Sequence, residues 1–195
     1  MNLIVQNLVK MSWYNIFRKF GFKQFWEDIL YRLDWRKPEK EHLRPFLAVQ
    51  VHRTRQLMKD NKLPQYSGTN DQKVIKYLKW VKGKITYEVD KKRFGVAEKW
   101  QTVDETLGFM KGDCEDGAIL LMACCIASGV NPAQLVLVAG KVTGGGHCWV
   151  EYQSDEFYPE WYTLDWCYWP SVKEFKWRIP KSENYIKDWF RISVL

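Results

Sequence analysis

The hydrophobic positions of this chain follow helical spacing in its first third, and short β-prone runs rich in Val, Leu and aromatic residues follow in its last third. Helical spacing predicts two helices within residues 3–33, a third over residues 41–61 and a fourth over about residues 71–82. Residues 118–128 form an almost wholly apolar run, which predicts a buried helix.

Strand-like stretches follow this apolar run. The main ones are residues 134–142, 147–152 and 161–166, and residues 189–195 are expected to close the sheet. Two shorter β-prone runs lie at residues 85–87, before the apolar run, and at 172–177, after it. Three glycines, Gly144 to Gly146, separate the first two main strands, and glycine allows the positive φ angles of a tight reversal. Helices followed by an antiparallel sheet predict an α+β fold.

The length of 195 residues favours one domain with an appended arm. A hydrophobic fraction of 46% with eleven tryptophans agrees with a packed core and excludes a disordered chain. The loop at residues 63–70 combines Pro, Ser, Gly and Asn, which marks a candidate boundary. We therefore predict a helical extension over residues 1–62 and a core domain over residues 63–195.

The net charge of +7 is placed unevenly. Residues 1–62 hold 13 Lys/Arg and 6 Asp/Glu, whereas residues 63–195 hold 17 of each. A basic, aromatic extension suggests an acidic partner protein, a nucleic acid or a membrane surface, and a solvated basic face without a partner is an equal alternative. No stretch approaches the 18 apolar residues of a transmembrane helix, and the first residues lack the features of a cleaved signal.

Cysteine usage indicates reduced thiols. The five cysteines are an odd number, two of them are adjacent, and none forms a C-x-x-C pair, which argues against a disulfide framework and a structural zinc site. Reduced thiols predict a cytoplasmic protein.

One of these thiols has the setting of a nucleophile. Cys114 opens the apolar helix, where backbone N–H groups and the helix dipole favour a thiolate, and Asp113 is placed as the N-cap. Cys124 and Cys125 lie among apolar residues in mid-helix, as structural cysteines do. The sequence therefore singles out Cys114 as a candidate nucleophile.

A thiol nucleophile needs a base and a group that orients it. His42 and His52 lie in the basic extension, whereas His147 begins a strand directly after the three glycines. Asp165 lies in an otherwise apolar strand, where a carboxylate is costly to bury unless it is paired. His147 is its natural partner on the neighbouring strand, so we predict a Cys114/His147/Asp165 triad.

Four motifs in this order resemble the transglutaminase-like core, and in particular the bacterial transglutaminase-like cysteine proteinases of the papain-like superfamily. The motifs are Trp-Gln-Thr-Val-Asp-Glu-Thr-Leu from residue 100, Gly-Asp-Cys-Glu-Asp from 112, His-Cys-Trp-Val-Glu from 147 and Leu-Asp at 164–165. The resemblance covers about residues 70–170 and leaves residues 1–62 without a counterpart. It implies a central helix that starts at the catalytic Cys114 and packs on an antiparallel sheet bearing His147 as general base and acid and Asp165 as orienter.

Two further roles are expected around this triad. The backbone N–H of Cys114 is a candidate oxyanion donor, and Trp100 or Gln101 would supply the second N–H, although Trp100 is equally well explained as a packing residue. The resemblance also implies calcium candidates, Asp113, Glu115 and Asp116, but capping of the helix explains these carboxylates better. No cofactor is predicted.

The function that the sequence favours is a thiol enzyme that cleaves an amide of a protein or peptide through a thioester. Attack by water would make it a peptidase or amidase, and attack by an amine would make it a transglutaminase. The resemblance favours the peptidase. A non-catalytic binding or assembly protein on the same fold is the alternative.

Overall fold

The structure, a computed structural model, describes residues 40–155, 161–167 and 185–195. The predicted helices within residues 3–33 and the β-prone run at 172–177 lie outside these residues. The described α-helices are α1 (Lys40–Lys59), α2 (Asn70–Lys84), α3 (Asp90–Phe94), α4 (Val103–Phe109) and α5 (Cys114–Ala127). No helix among them is long and apolar enough to cross a membrane.

Helix α5 is the centre of the fold. Its sequence has no polar stripe, and every residue from Glu115 to Ile126 is buried. A helix that is apolar on all sides must be covered on all sides. Helices α1, α2 and α4 and the main sheet provide that cover.

The main sheet has four antiparallel strands in the order β5-β4-β3-β6. They are β3 (Leu135–Val142), β4 (Gly145–Gln153), β5 (Trp161–Leu164) and β6 (Tyr185–Ile192). Two short parallel strands, β1 (Thr86–Tyr87) and β2 (Lys111–Gly112), form a separate pair directly before α5. The predicted hairpin is present, since Val142 pairs with Gly145, which has a φ of +133°. The α+β prediction is confirmed.

Residue alternation along the strands divides the sheet between two buried clusters. On β4, Cys148 and Val150 belong to the large core around α5. Trp149 belongs to a smaller cluster with Val138, Val142 and Tyr185. Both clusters consist of buried apolar side chains, so a polar side chain buried in the sheet next to them needs a hydrogen-bonding partner.

The boundary of the compact unit differs from the predicted one. The chain divides at residue 38, and α1 lies within the unit Pro38–Leu195. The helix packs on α5 through apolar residues that include Leu43, Leu47 and Val51.

The loop that the sequence marks as a boundary is fastened to the core. Leu63 is buried, Gln65 Nε2 donates to Met58 O at 2.8 Å and Tyr77 Oη donates to Pro64 O at 3.1 Å. The composition of this loop is typical of a linker, but these contacts show that it is a short connection within the compact unit.

Candidate active site

Cys114 is the first residue of α5, as the sequence predicts. It follows the strand β2 and the N-cap residue Asp113, whose backbone N–H donates to Asp116 Oδ2 at 3.1 Å. Gly112 permits this tight turn, because a Cβ there would lie 2.6 Å from Asp116 Cβ. The half-buried thiol of Cys114 donates to Glu115 Oε2 at 3.1 Å.

The electrostatic surroundings of this thiol differ from the expected ones. A helix N-terminus alone favours a thiolate, but burial of Cys114 raises its pKa, and the charges of Glu115 and Asp113 raise it further. The sequence-based expectation of a lowered pKa is therefore not met by the protein groups alone. A reactive thiolate at this position requires a nearby positive charge.

His147 and Asp165 form a buried pair. His147 Nε2 lies 2.6 Å from Asp165 Oδ2, and the two side chains are 2% and 0% exposed. His147 is the third residue of β4, and Asp165 directly follows the last residue of β5, the neighbouring strand. The imidazole stacks on Trp149 with its centroid 5.9 Å away and the planes 22° apart. Packing and the hydrogen bond together fix the orientation of the ring.

Asp165 accepts two further hydrogen bonds that the sequence does not predict. Tyr185 Oη donates to Asp165 Oδ2 at 2.7 Å, and the backbone N–H of Cys167 donates to Oδ1 at 2.8 Å. Tyr185 is the first residue of β6, the strand that pairs with β3 on the edge opposite β4. Burial raises the pKa of the Tyr185 hydroxyl, and so does the charge of Asp165, so this hydroxyl stays protonated at neutral pH and donates the hydrogen bond.

Trp166 connects the pair to the start of α5. Its Nε1 donates to Cys114 O at 3.0 Å, and its ring covers Gly117, where a Cβ would lie 2.2 Å from the indole. Lys82 Nζ donates to Trp166 O at 2.7 Å. The described contacts thus join His147 to Asp165 directly and Cys114 to the residue after Asp165. The triad itself, with the Cys114 sulfur beside the His147 ring, stays a prediction.

Two of the candidate oxyanion donors, Trp100 and Gln101, are engaged with carboxylates. Trp100 Nε1 donates to Glu98 Oε1 at 3.0 Å. Gln101 donates through its backbone N–H to Asp116 Oδ1 at 2.7 Å and through Nε2 to Asp116 Oδ2. Because an indole has one N–H, Trp100 would have to release Glu98 before it could bind an oxyanion. The roles of Trp100 and Gln101 stay predictions.

Four carboxylates lie near the thiol of Cys114, and the sequence predicted three of them, Asp113, Glu115 and Asp116. Asp113 and Asp116 have oxygens within 4.8 Å of one another and of Asp90, whereas Glu115 groups with Asp113 and Cys114. Within the part of the chain that the structure describes, no residue donates a hydrogen bond to the buried oxygens Asp90 Oδ1, Asp113 Oδ1 and Glu115 Oε1. Burial and the neighbouring Asp113 raise the pKa of Asp90 to about 6.

Asp90 has no sequence signal. It stands in the run Val-Asp-Lys-Lys, which reads as a solvated turn, yet it is 1% exposed and accepts from the backbone N–H of Lys99. Buried, converging carboxylate oxygens without donors are the ligands that a hard divalent cation takes. The residues present therefore fit a cation of the calcium type, beyond their part in capping α5.

Residues 55–189 match the family described as Transglutaminase-like domain, and the chain belongs to that family. The membership agrees with the fold, in which the central helix starts at Cys114 beside the antiparallel sheet.

Solved structures of similar fold include two of LapG from Legionella pneumophila and one of a TGase. EGTA-treated LapG is 22% identical with a TM-score of 0.44, over 60% of this chain and 70% of that chain. Calcium-bound LapG is 20% identical with a TM-score of 0.40, over 60% and 72%. The TGase is 14% identical with a TM-score of 0.40, over 85% and 43%. No curated protein matches the chain.

Proposed function

We propose that this protein is a thiol enzyme that cleaves or transfers an amide acyl group of a protein or peptide, with Cys114 as nucleophile, His147 as base and Asp165 as the residue that orients His147. The observation that carries the proposal is the buried hydrogen bond between His147 Nε2 and Asp165 Oδ2, at 2.6 Å, beside a helix that begins at a half-buried cysteine. Hydrolysis by a cysteine peptidase is the favoured outcome.

The proposed reaction has two halves. The Cys114 sulfur attacks the amide carbonyl carbon while its proton passes to His147, and the tetrahedral intermediate then expels the amine, which takes that proton. A thioester remains on Cys114. Water activated by His147 releases the acid, or an amine takes the acyl group. Asp165 holds the imidazole in the required tautomer throughout.

The acidic surroundings of Cys114 belong to the same proposal. Asp90, Asp113 and Asp116 would hold a divalent cation of the calcium type, and the bound cation would supply positive charge next to the thiol. Burial raises the pKa of Cys114 and the charges of Glu115 and Asp113 raise it further, so a cation that neutralises Asp113 favours the thiolate.

Alkylation mapping tests the proposal without knowledge of the substrate. The native protein is treated with iodoacetamide with and without added calcium, and each cysteine is followed by peptide mass. We expect Cys114 to react first, and His147→Ala to slow it by at least about tenfold, a loss equivalent to 1.4 kcal/mol. The fully buried Cys124 and Cys125 serve as internal controls. A Cys114 that stays as inert as those two, with or without calcium, would refute the enzyme.

The two acyl acceptors are separated by a second assay. A fluorescent amine incubated with glutamine-containing proteins reports transfer, and new peptide N-termini report hydrolysis. We expect new N-termini that disappear in Cys114→Ala.

One observation favours a second function, a non-catalytic binding or assembly protein. The pKa of Cys114 is raised by burial and by its acidic neighbours, as in an inert cysteine. In that case the basic residues 1–62 would be the functional part and would bind an acidic protein, a nucleic acid or a membrane surface. The cytoplasmic setting that the reduced thiols suggest belongs to both proposals.

A further inference from the structure

Cys167 lies at the His147–Asp165 pair, although nothing in the proposed reaction uses its sulfur. The side chain of Asp165 accepts the backbone N–H of Cys167 two residues later, which is the geometry of an Asx turn. This turn curls the chain around the carboxylate and brings the half-buried Cys167 back to the pair. One ring nitrogen of His147, one carboxylate oxygen of Asp165 and the Cys167 sulfur all lie within 4.8 Å of one another.

These three atoms are an imidazole nitrogen, a carboxylate oxygen and a sulfur, the donors that zinc takes in proteins. Zinc binds them at about 2.0–2.3 Å, so ligand atoms of a tetrahedral site lie roughly 3.3–3.6 Å apart. Because the three ligand atoms lie within 4.8 Å of one another, side-chain movements of about an ångström suffice to reach this spacing. Calcium and magnesium prefer oxygen alone, which separates this donor set from the carboxylates around Asp90.

We propose that His147, Asp165 and Cys167 form a binding site for a zinc-type divalent cation, with the fourth position left to water. Cys167 binds as the thiolate, and its proton leaves to solvent. The site is distinct from the carboxylate cluster of Asp90, Asp113 and Asp116, and it selects a different class of metal.

Occupancy of this site has a consequence that rests on the proposed function. The metal takes the imidazole nitrogen and carboxylate oxygen that orient and carry the proton in amide cleavage. Zinc should therefore inhibit turnover. Inhibition through this site should weaken in Cys167→Ala, whereas inhibition through zinc binding to Cys114 alone should not.

Cobalt(II) binding tests the site without any substrate. Cobalt replaces zinc in tetrahedral sites, and a bound thiolate gives a near-ultraviolet charge-transfer band together with visible bands. We expect the full chain to show these bands, Cys167→Ala to lose the charge-transfer band, and Cys114→Ala to keep it. Cys124→Ala is the matched control, since it removes a thiol buried in α5. Zinc affinity should fall in Cys167→Ala by at least about 100-fold, since removing even a hydrogen-bond partner of a ligand costs 10–100-fold.

A second measurement on the unaltered protein covers the case in which Cys167→Ala does not fold. Zinc should protect Cys167 from iodoacetamide, as read by peptide mass, and excess chelator should restore its labelling. A charge-transfer band that persists in Cys167→Ala, is lost in Cys114→Ala, or does not form in the unaltered protein would overturn the site, as would unprotected Cys167.

The outcomes also separate this site from the enzyme. A cobalt band from Cys167 together with an inert Cys114 would retain the metal site and refute the amide chemistry. A reactive Cys114 without the cobalt band would retain the amide chemistry and refute the metal site.

Discussion

Asp165 Oδ2 accepts from two residues at once, His147 Nε2 at 2.6 Å and Tyr185 Oη at 2.7 Å. Two donors on one oxygen fix the carboxylate plane more tightly than His147 alone would. Trp149 supports both donors, since it stacks on His147 and meets the Tyr185 ring edge-on with centroids 4.8 Å apart. Tyr185 is therefore a positioning residue for the proposed base.

Tyr185→Phe should lower kcat of amide turnover about tenfold with little change in KM. The variant removes a hydrogen bond to a charged group, worth about 1.5–3 kcal/mol, while the ring and its packing on Trp149 remain. Tyr152→Phe is the matched control, because Tyr152 is a buried tyrosine of the same sheet whose hydroxyl donates to a different carboxylate, Asp71 Oδ1, at 2.6 Å. Equal effects of the two substitutions on kcat would contradict the assignment of Tyr185.

Trp166 joins the segment after β5 to helix α5. Its indole lies on Gly117 and donates to Cys114 O. A glycine is needed there because any Cβ would occupy the space of the indole. Gly83 in α2 is also a helical glycine, but a Cβ at that position meets nothing within 4 Å. The two glycines thus form a natural pair for comparison.

Gly117→Ala should displace Trp166, lower the free energy of unfolding by about 1–3 kcal/mol and slow the alkylation of Cys114. Gly83→Ala should instead raise the free energy of unfolding by up to about 1 kcal/mol, because alanine favours the helix and meets no neighbour. Urea unfolding of both variants measures the difference. A Gly117→Ala protein as stable and as reactive as the parent would show that Trp166 does not set the position of α5.

Local patterns explain how much of the fold could be predicted. The apolar run of α5 and the glycines before His147 each specify their element within a few residues of sequence, and both elements are present. Helix α1 was also predicted, but an amphipathic pattern does not say which body covers its apolar face, so its place in the core was not.

The candidate site divides in the same way. The sequence predicted Cys114, His147 and Asp165 as a triad with His147 and Asp165 paired across neighbouring strands, and the structure shows that pair. Tyr185 and Asp90 were missed because their roles depend on strand order and on burial that no neighbouring residue reveals. Long-range partners of a buried carboxylate leave no periodic trace in the chain.

At the scale of the whole molecule, the carboxylates beside α5 oppose folding in their charged form. The pKa of Asp90 is raised to about 6, and burial also raises the pKa values of Asp113 and Asp116 above their ordinary range. A group whose pKa is higher in the folded state stabilises the fold below its unfolded pKa, near 3.9, and loses that contribution as pH rises through its folded pKa. Without a cation, stability should therefore fall between about pH 4 and 7.

Thermal unfolding in EGTA should show this loss as a lower midpoint at pH 7 than at pH 5. Calcium should raise the midpoint more at pH 7, where it does not compete with protons for the carboxylates. Asp90→Asn should raise the midpoint in EGTA at pH 7 and diminish the effect of calcium, whereas Asp60→Asn, at an exposed position, should change neither. A midpoint that is independent of calcium at both pH values would count against the cation.

The basic excess gives a second prediction at this scale. Residues 1–37 hold 7 Lys/Arg and 3 Asp/Glu, which is +4 of the net +7. The cut belongs at residue 37, because α1 is part of the core. Deleting residues 1–37 should lower the salt concentration that elutes the protein from heparin, since fewer cations bind the polyanion. Arg55→Gln, which removes one exposed charge of α1, is the control for charge alone. Unchanged elution after the deletion would place polyanion binding elsewhere.

The burial of α5 on every side has a consequence for how the site is lost. Amide hydrogens of a helix without a solvent face exchange with water only when the surrounding layers open together, so those of α5 should exchange at the rate of global unfolding. Cys114 is the first residue of this helix, so its position depends on the same packing. The site proposed at Cys114 and the tertiary structure should therefore be lost in one step, which hydrogen exchange of α5 and alkylation of Cys114 would both follow.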